Sequence, residues 1–161
     1  MNNKEISIRK LRMEEFDRLK PLFPDSDEKW DGYRKKRLEQ FRRHDADTYI
    51  MEASGACIGE LSANYSSRAL AEEAVPQQRV YLDTFRLAKA YRGAGLGQKL
   101  LRYALDDLEA RGFTEFTIGV EEDNKIAKHI YSKFGFTVPV AQGHGSLYDP
   151  CDYTLYLRKT D

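Results

Sequence analysis

The spacing of apolar residues predicts strands and helices that succeed one another along the first half of the chain. "ISIRKL" alternates apolar and polar residues as a half-buried strand does. "MEEFDRLKPLF" then has helical spacing, disturbed near its end by Pro21, and residues 30–43 predict a helix with one buried side. "TYIMEA" and "CIGELSANY" predict a β-hairpin with its turn at "SGA", and "SSRALAEEAVPQQ" follows as a connecting loop.

The next strand, "VYLDTFRL", changes its apolar phase partway along. Val80 and Leu82 occupy one parity, whereas Phe85 and Leu87 occupy the other. Because strand side chains alternate between the two faces, a regular strand would send these pairs to opposite sides. Either a β-bulge near positions 83–84 restores a common face, or the strand is buried on both faces. The pattern leaves both explanations open.

Two amphipathic helices and two strands are predicted after this point. A leucine-rich helix ends at Arg111–Gly112 and leads into the strand "FTEFTIGV". A second helix begins at Asn124 as N-cap and ends at Gly135. Its apolar face is predicted to contain Ile126, Ala127, Ile130, Tyr131 and Phe134. "DYTLYLRK" is the last strand, so the order predicts an α/β or α+β sheet domain, and we expect residues 1–161 to form one domain.

A glycine-rich turn, "RGAGLG", joins the phase-shifted strand to the leucine-rich helix. The first turn of a helix has unpaired N–H groups and a partial positive charge, which together attract an anion. The G-x-G-x-G spacing is not the G-x-G-x-x-G of dinucleotide folds, and no Lys-Ser or Lys-Thr pair follows as in a P-loop. An anion site and a purely conformational role for the glycines both remain open.

Composition narrows the functional classes. The 26 basic residues equal the 26 acidic residues, so the chain lacks the excess of a general nucleic-acid binder. No long apolar stretch indicates a signal peptide or membrane span, so we expect a cytoplasmic protein that does not contact a membrane. Cys57 and Cys151 form no motif and are expected to be reduced thiols. His44, His129 and His144 are scattered, and we expect no metal site.

Two motifs in the second half resemble the GNAT-type N-acetyltransferase superfamily. Residues 92–97 match its R/Q-x-x-G-x-G/A signature. Asn124, Ala127, Tyr131 and the Gly135-Phe136 pair then match its N-x-x-A-x-x-x-Y-x-x-x-G-F pattern. The resemblance implies a single mixed, mostly antiparallel twisted sheet of about six to seven strands flanked by helices, as in acyl-CoA N-acyltransferases.

The same resemblance implies acetyl-CoA as cosubstrate. Phe85 and Leu87 would pair their backbone N–H and C=O groups with the pantetheine arm, while their side chains belong to the core. Asn124 and Ala127 would lie near the cofactor, although helix capping explains Asn124 almost as well. The pyrophosphate would be bound by backbone N–H groups of Arg92, Gly93, Ala94, Gly95, Leu96, Gly97 and Gln98.

For catalysis, the resemblance implies direct attack by a primary amine on the thioester in a ternary complex. Asp83 is at the position of the base, acting directly or, being shorter than Glu, through water; the alternative is a structural or substrate-binding role. Tyr131 is at the position of the acid that protonates the CoA thiolate, or it is a core residue. The alternative function is a non-catalytic acyl-CoA-binding sensor or scaffold module.

The acceptor is expected to be an amine of a small molecule, a peptide N-terminus or a protein lysine. Aromatic and acidic side chains would suit such a cation, but their positions form no readable pattern. In the superfamily, the first helices and the loop before the last strand select the acceptor, and a homodimer is common. The corresponding residues here include Trp30, Tyr33, Glu60, His144, Tyr148 and Asp149.

Overall fold

The computed structural model describes residues 5–145 and 152–160 of the protein. Within these residues, seven strands form a mixed sheet in the order β1-β2-β3-β4-β5-β7-β6. β1 pairs antiparallel with β2, β5 and β6 pair antiparallel with β7, and β4 pairs in parallel with β5. The strands are β1 (Ile6–Lys10), β2 (Ala46–Ala53), β3 (Ala56–Asn64), β4 (Arg79–Leu87), β5 (Glu115–Glu121), β6 (Val138–Gly143) and β7 (Tyr153–Lys159).

Helices occupy the predicted intervals between the strands. The first is a 3₁₀ helix rather than an α-helix, and its apolar residues Phe16, Leu19 and Leu22 recur every three residues. This spacing places them on one face of a helix with three residues per turn. The helical elements are the 3₁₀ helix Met13–Leu22, α1 (Asp27–Arg42), the short 3₁₀ helix Lys89–Tyr91, α2 (Leu96–Ala110) and α3 (Lys125–Lys133).

The chain divides into two compact units. Unit 1 comprises Met1–Ala63 and Thr84–Asp107, and unit 2 comprises Asn64–Asp83 and Leu108–Asp161. The boundary therefore lies inside β4. That residues 1–161 form a single domain remains a prediction.

Aromatic packing dominates the core of unit 1. The Phe16 ring stacks on Trp30 at 5.5 Å between centroids, and Tyr33 packs against the same cluster. Burying each large apolar side chain stabilises the fold by about 1.5–3 kcal/mol. Trp30, which the sequence suggested as an acceptor-selecting residue, is thus a buried core residue. The cluster contains Leu11, Phe16, Leu19, Phe23, Trp30, Leu38 and Ile50.

The predicted turn and helix-end signals are confirmed in detail. The β2–β3 turn has Ser54 at φ 50° and Gly55 at φ 83°, the left-handed pair that a two-residue hairpin favours. α2 ends where Gly112 adopts φ 101° and donates to Glu109 O at 2.9 Å. A glycine just past the last turn is the usual way to satisfy the final helical carbonyls.

Two features differ from the sequence-based expectation. The segment "VAQGHGSLYDPCD" before the last strand is rich in turn residues and was expected to be a loop, but its first four residues belong to β6, which also contains Pro139 and an exposed Val138. It lies at one end of the strand order, where a proline is tolerated since one side needs no ladder hydrogen bond. Ile126 was predicted on the buried face of α3, yet it is 78% exposed.

An ion-pair network in unit 1 is expected to make the stability of the protein depend on pH in the acidic range. Arg9 binds both carboxylate oxygens of Glu15 at 2.8 Å and Glu52 at 2.8 Å. The hydrogen bonds from Arg9 lower the pKa of Glu15 to about 2. A carboxylate whose pKa is lowered by folding stabilises the folded state at any pH above its pKa in the unfolded chain, which is about 4.3 for Glu. This stabilisation is lost as the pH falls towards 2.

We therefore expect Arg9→Gln to lower the free energy of unfolding by about 1–2 kcal/mol at pH 7. The value is below the full linkage energy because Arg9 is one-third exposed and water screens the pair. Urea unfolding from pH 7 to pH 2.5 should show the deficit shrinking as the pH falls. Arg43→Gln, which breaks an exposed pair with Glu39, is the control and should show little deficit at any pH.

Candidate active site

The three glycines of the turn in unit 1 have two different structural roles. Gly93 and Gly95 adopt φ 86° and 78°, a left-handed conformation that side chains rarely tolerate. A Cβ atom built on either would meet nothing within 4 Å, so open space lies beside both. Gly97 is already inside α2, and a Cβ atom there would lie 3.6 Å from the Phe85 ring. Only the first two glycines are therefore required by backbone conformation.

The turn presents a helix N-terminus to this open space. α2 begins at Leu96, and Lys99 N donates to Gly95 O at 3.2 Å as the helix starts. The preceding N–H groups have no intrahelical acceptor, and the helix dipole adds partial positive charge. The arrangement fits a phosphate or pyrophosphate group, because no Cβ at Gly93 or Gly95 holds an anion away from the backbone.

Arg92 folds back onto β4. Its Nε donates to Leu87 O at 2.9 Å, so this side chain uses one acceptor site of a carbonyl predicted to face pantetheine. Ala88 N donates to Ile58 O at 2.7 Å. Phe85 and Leu87 were predicted as core side chains, but both are only partly buried. That prediction was wrong: β4 departs from regular strand geometry at Thr84, just before both residues.

The irregularity in β4 lies at Thr84, whose φ is 52°. A positive φ is uncommon for any residue with a Cβ and is a genuine outlier for a β-branched one. The pairing of β4 with β5 runs from Arg79 to Leu82, and Val80 and Leu82 are fully buried. The irregularity supports the β-bulge explanation of the phase change over a continuous strand buried on both faces.

Asp83 lies in unit 2 and is held by a residue that the sequence did not single out. Asn64, the last residue of β3, donates from Nδ2 to Asp83 Oδ1 at 2.8 Å and to Tyr81 O at 3.0 Å. Its own Oδ1 accepts from Arg68 Nε at 3.2 Å. Asn64 is fully buried, and a polar residue at the end of an apolar strand was the only signal that could have marked it.

The segment between β3 and β4 is fixed by a buried carboxylate. Glu73 Oε1 accepts from the backbone N–H groups of Arg68 at 2.6 Å and Ala69 at 3.0 Å. Thr117 Oγ1 of β5 donates to Glu73 O at 2.6 Å. The sequence predicted only a connecting loop here, because no periodicity identifies a side chain that caps its own loop.

Tyr153 of β7 packs across two glycines in unit 2. A Cβ atom at Gly119 would lie 2.9 Å from the Tyr153 ring, and one at Gly143 would overlap the ring. Burial raises the pKa of Tyr153, and the charges of Glu73 and Asp83 raise it further. The hydroxyl therefore lies in the field of both carboxylates. No local pattern predicted the surroundings of Tyr153, because three strands contribute to them.

α3 carries the second motif. Asn124 Oδ1 accepts from Ala127 N at 3.0 Å, so Asn124 caps α3. Capping was one of the two roles expected for this residue, and a place near the cofactor was the other. Burial raises the pKa of Tyr131 to about 12, so its hydroxyl stays protonated through the neutral range. Its ring contacts Phe136 edge-on at 6.2 Å between centroids.

The predicted site residues are thus distributed over both units. The glycine turn, Gln98, Phe85 and Leu87 belong to unit 1, whereas Asp83, Asn124, Ala127 and Tyr131 belong to unit 2.

The predicted acceptor-selecting residues do not form one group. Glu60 is fully buried in β3 and accepts from Arg86 at 3.1 Å. His144 is exposed, with Nδ1 3.2 Å from Asp152 Oδ1. Tyr148, Asp149 and Cys151 lie outside the described residues. Cys57 is a free thiol, and burial raises its pKa to about 11.

Residues 5–145 and 152–160 contain no group of three or more His, Cys, Asp or Glu side chains placed to hold a metal ion. Nor does any helix among them have the length and apolar character needed to cross a membrane.

Solved structures with the same fold include several acetyltransferases. The ribosomal-protein-S18-alanine N-acetyltransferase of Escherichia coli superposes with a TM-score of 0.72 at 16% identity, covering 98% of this chain and 95% of that chain. The PaiA N-acetyltransferase of Thermoplasma acidophilum, solved with coenzyme A, gives 0.66 at 18% identity, covering 96% and 99%. These likenesses confirm the predicted mixed sheet with flanking helices.

Sequence comparison identifies the family. A 58-residue segment is 45% identical to mycothiol acetyltransferase of Corynebacterium glutamicum (strain R), covering 36% of this chain but only 19% of that protein. The match therefore spans less than a fifth of that relative. The model of the acetyltransferase (GNAT) family matches residues 7–136, which is most of the chain. The protein therefore belongs to the acetyltransferase (GNAT) family.

Proposed function

We propose that this protein is an acetyl-CoA-dependent N-acetyltransferase whose acceptor is a primary amine. The observation that carries the proposal is the turn at Gly93 and Gly95, left-handed at both glycines, beside open space and directly before a helix N-terminus. Family membership and the coenzyme A complex of the PaiA protein support the identity of the anion.

Backbone N–H groups of residues 93–97 are the proposed donors to the pyrophosphate. Bound acetyl-CoA would supply an activated acetyl thioester. Hydrogen bonds to a charged acceptor are stronger than neutral ones, so several amides converging on one diphosphate give both affinity and orientation. Arg92 contributes by bracing the turn against Leu87 O, a role that the sequence did not suggest.

Asp83 is the proposed proton acceptor. An ammonium group has no lone pair, so the amine must lose a proton before it can attack. Asp83 accepts a hydrogen bond from a neutral amide at 2.8 Å, an arrangement that orients the carboxylate without neutralising its charge. The Asp side chain is one methylene shorter than Glu, which favours proton transfer through a water molecule.

Tyr131 is the proposed donor to the leaving sulfur. With a pKa of about 12, its hydroxyl is a weaker acid than a thiol of pKa about 8.5. Complete proton transfer to the thiolate would therefore be unfavourable, whereas donating a hydrogen bond to the developing charge is not. We therefore propose that Tyr131 donates a hydrogen bond to the leaving sulfur rather than transferring its proton completely.

Tyr131→Phe should lower kcat roughly 10- to 100-fold, because it removes a donor that stabilises developing charge. The ring and its contact with Phe136 are retained, so the melting temperature should change little. Free-thiol release under saturating substrates is the measurement. Tyr103→Phe, at an exposed position on α2, should leave kcat unchanged. Undiminished turnover in Tyr131→Phe would remove the residue from the mechanism.

The activity itself is tested by detecting free CoA thiol over a panel of amines. The panel should contain small diamines, amino acids, peptides with free N-termini and peptides with an internal lysine. Thiol release with at least one class supports the proposal. Acetyl-CoA at about 100 times its Kd should add roughly 2.7 kcal/mol of stability. Stabilisation without thiol release would indicate a binding module, and no stabilisation would contradict both functions.

A further inference from the structure

Asn64 makes a complete set of hydrogen bonds around Asp83. The residue is 0% exposed and ends β3. Its amide group donates to Asp83 Oδ1 at 2.8 Å and to Tyr81 O at 3.0 Å, and accepts from Arg68 Nε at 3.2 Å. A side-chain amide offers two N–H donors and one carbonyl oxygen, so every polar atom of Asn64 is engaged.

The orientation of this amide is determined by its neighbours. Arg68 Nε can only donate, so Asn64 must direct its oxygen towards Arg68. Asp83 Oδ1 and Tyr81 O are acceptors, so the NH₂ group must face them. Exchanging the two ends of the amide would place an oxygen against two other oxygens and leave the guanidinium facing donors. Asn64 therefore has one stable orientation.

Arg68 is itself held in place by hydrogen bonds to Glu73 and Ser66 of unit 2. Its backbone N–H donates to Glu73 Oε1, and its Nη1 donates to Ser66 Oγ at 2.7 Å. Glu73 is fully buried, and its carbonyl accepts from Thr117 of β5. A continuous series of hydrogen bonds thus runs from β5 through Glu73, Arg68 and Asn64 to Asp83.

We propose that Asn64 is a positioning residue for acetyl transfer, which fixes Asp83 Oδ1 and stabilises the ionised carboxylate that accepts the amine proton. This inference rests on the proposed role of Asp83 as base. A donor to a carboxylate favours its charged form, and a buried donor held by a second bond does so in a fixed direction. Asn64 is neutral, so replacing it removes this hydrogen bond without changing the net charge.

Further titratable or charged groups belong to the other elements of unit 2, and one of them, Tyr153, has its pKa raised by the charge of Asp83. They are Arg68 and Glu73 before β4, Glu121 at the end of β5 and Tyr153 on β7. Variants that keep all four of these residues therefore isolate the contribution of Asn64.

The kinetic test is a double-mutant cycle between Asn64→Leu and Asp83→Asn. Leucine has the same branching and the same number of side-chain heavy atoms as asparagine, but it cannot donate a hydrogen bond. We expect Asn64→Leu to lower kcat about tenfold in the parent protein and less than about twofold in the Asp83→Asn background, because contacting residues are coupled. Equal losses in both backgrounds would show a merely structural role and overturn the inference.

A second readout separates kcat from cosubstrate binding. In Asn64→Leu, kcat should fall while the acetyl-CoA affinity measured by calorimetry stays that of the parent, because the proposed pyrophosphate donors are backbone groups of residues 93–97. Ser62→Ala is the matched control: Ser62 is buried on the same strand and bonds Thr48 Oγ1 at 2.8 Å, so its loss costs stability without lowering kcat. An unchanged kcat in Asn64→Leu would contradict the inference.

The failures of the two proposals are distinguishable. If Asp83→Asn retains full turnover, the base assignment fails, and with it the role of Asn64 in the reaction. If Asp83→Asn loses turnover while Asn64→Leu gives equal losses in both backgrounds, only the positioning role fails. Should Asn64→Leu not fold, the smaller substitution Asn64→Ser is measured in the same way, with the same outcomes deciding.

Discussion

Asp83→Asn should lower kcat by about 10²–10⁴-fold, the range typical for loss of a general base. The substitution is nearly isosteric, and the new amide oxygen can still accept from Asn64 Nδ2, so the local geometry should survive. The variant cannot take up a proton near neutral pH. Acetyl-CoA affinity should be unchanged, because the proposed pyrophosphate donors are backbone groups of residues 93–97.

Steady-state thiol release, together with acetyl-CoA binding by calorimetry, separates these effects. Asp106→Asn is the matched control, since Asp106 is an exposed carboxylate on α2 that pairs with Arg102. A loss of less than about tenfold in Asp83→Asn would leave Asp83 with a structural role. Raising the pH should partly restore the variant's rate, because a larger fraction of the free amine is then unprotonated.

Gly95→Val should weaken acetyl-CoA binding by about 10²–10³-fold. Gly95 has φ 78°, and a left-handed conformation costs a residue with a Cβ roughly 1–2 kcal/mol. A β-branched residue avoids that cost by changing the turn, which withdraws N–H donors worth about 1.5–3 kcal/mol each when they bind a charged group. The new side chain also enters the open space beside the turn.

Gly55→Val is the control that the chain provides. Gly55 has a similar φ of 83° and also has nothing within 4 Å of a built Cβ atom, but it lies in the β2–β3 hairpin turn. Both variants should lose comparable stability in urea unfolding. Only Gly95→Val should lose the increase in melting temperature that acetyl-CoA produces. An equal increase in melting temperature in the two variants would contradict the proposed pyrophosphate site.

The elements that could be predicted from the sequence are those whose signals are local. Periodicity located α2, the cap at Asn124 was confirmed, and the phase change in β4 anticipated the break at Thr84. β6 was missed because an edge strand with a proline and exposed residues has no clear alternation.

The site was predictable only as far as it follows a linear motif. The glycine turn, Asp83 and Tyr131 were named from residue order, whereas Asn64 and Tyr153 were not. Their roles depend on contacts between residues distant in the chain: Asn64 and Asp83 are 19 positions apart. No local pattern encodes such a contact, because the sheet order alone decides which strand ends meet.

The ring of Tyr153 fills the space that Gly119 and Gly143 leave open on neighbouring strands. Mutational tolerance at these three positions is therefore linked. A side chain at either glycine position displaces the ring, whereas a small residue at position 153 would leave two bare stretches of backbone uncovered. Among related sequences, this predicts covariation in which an aromatic residue at 153 accompanies glycine at both 119 and 143.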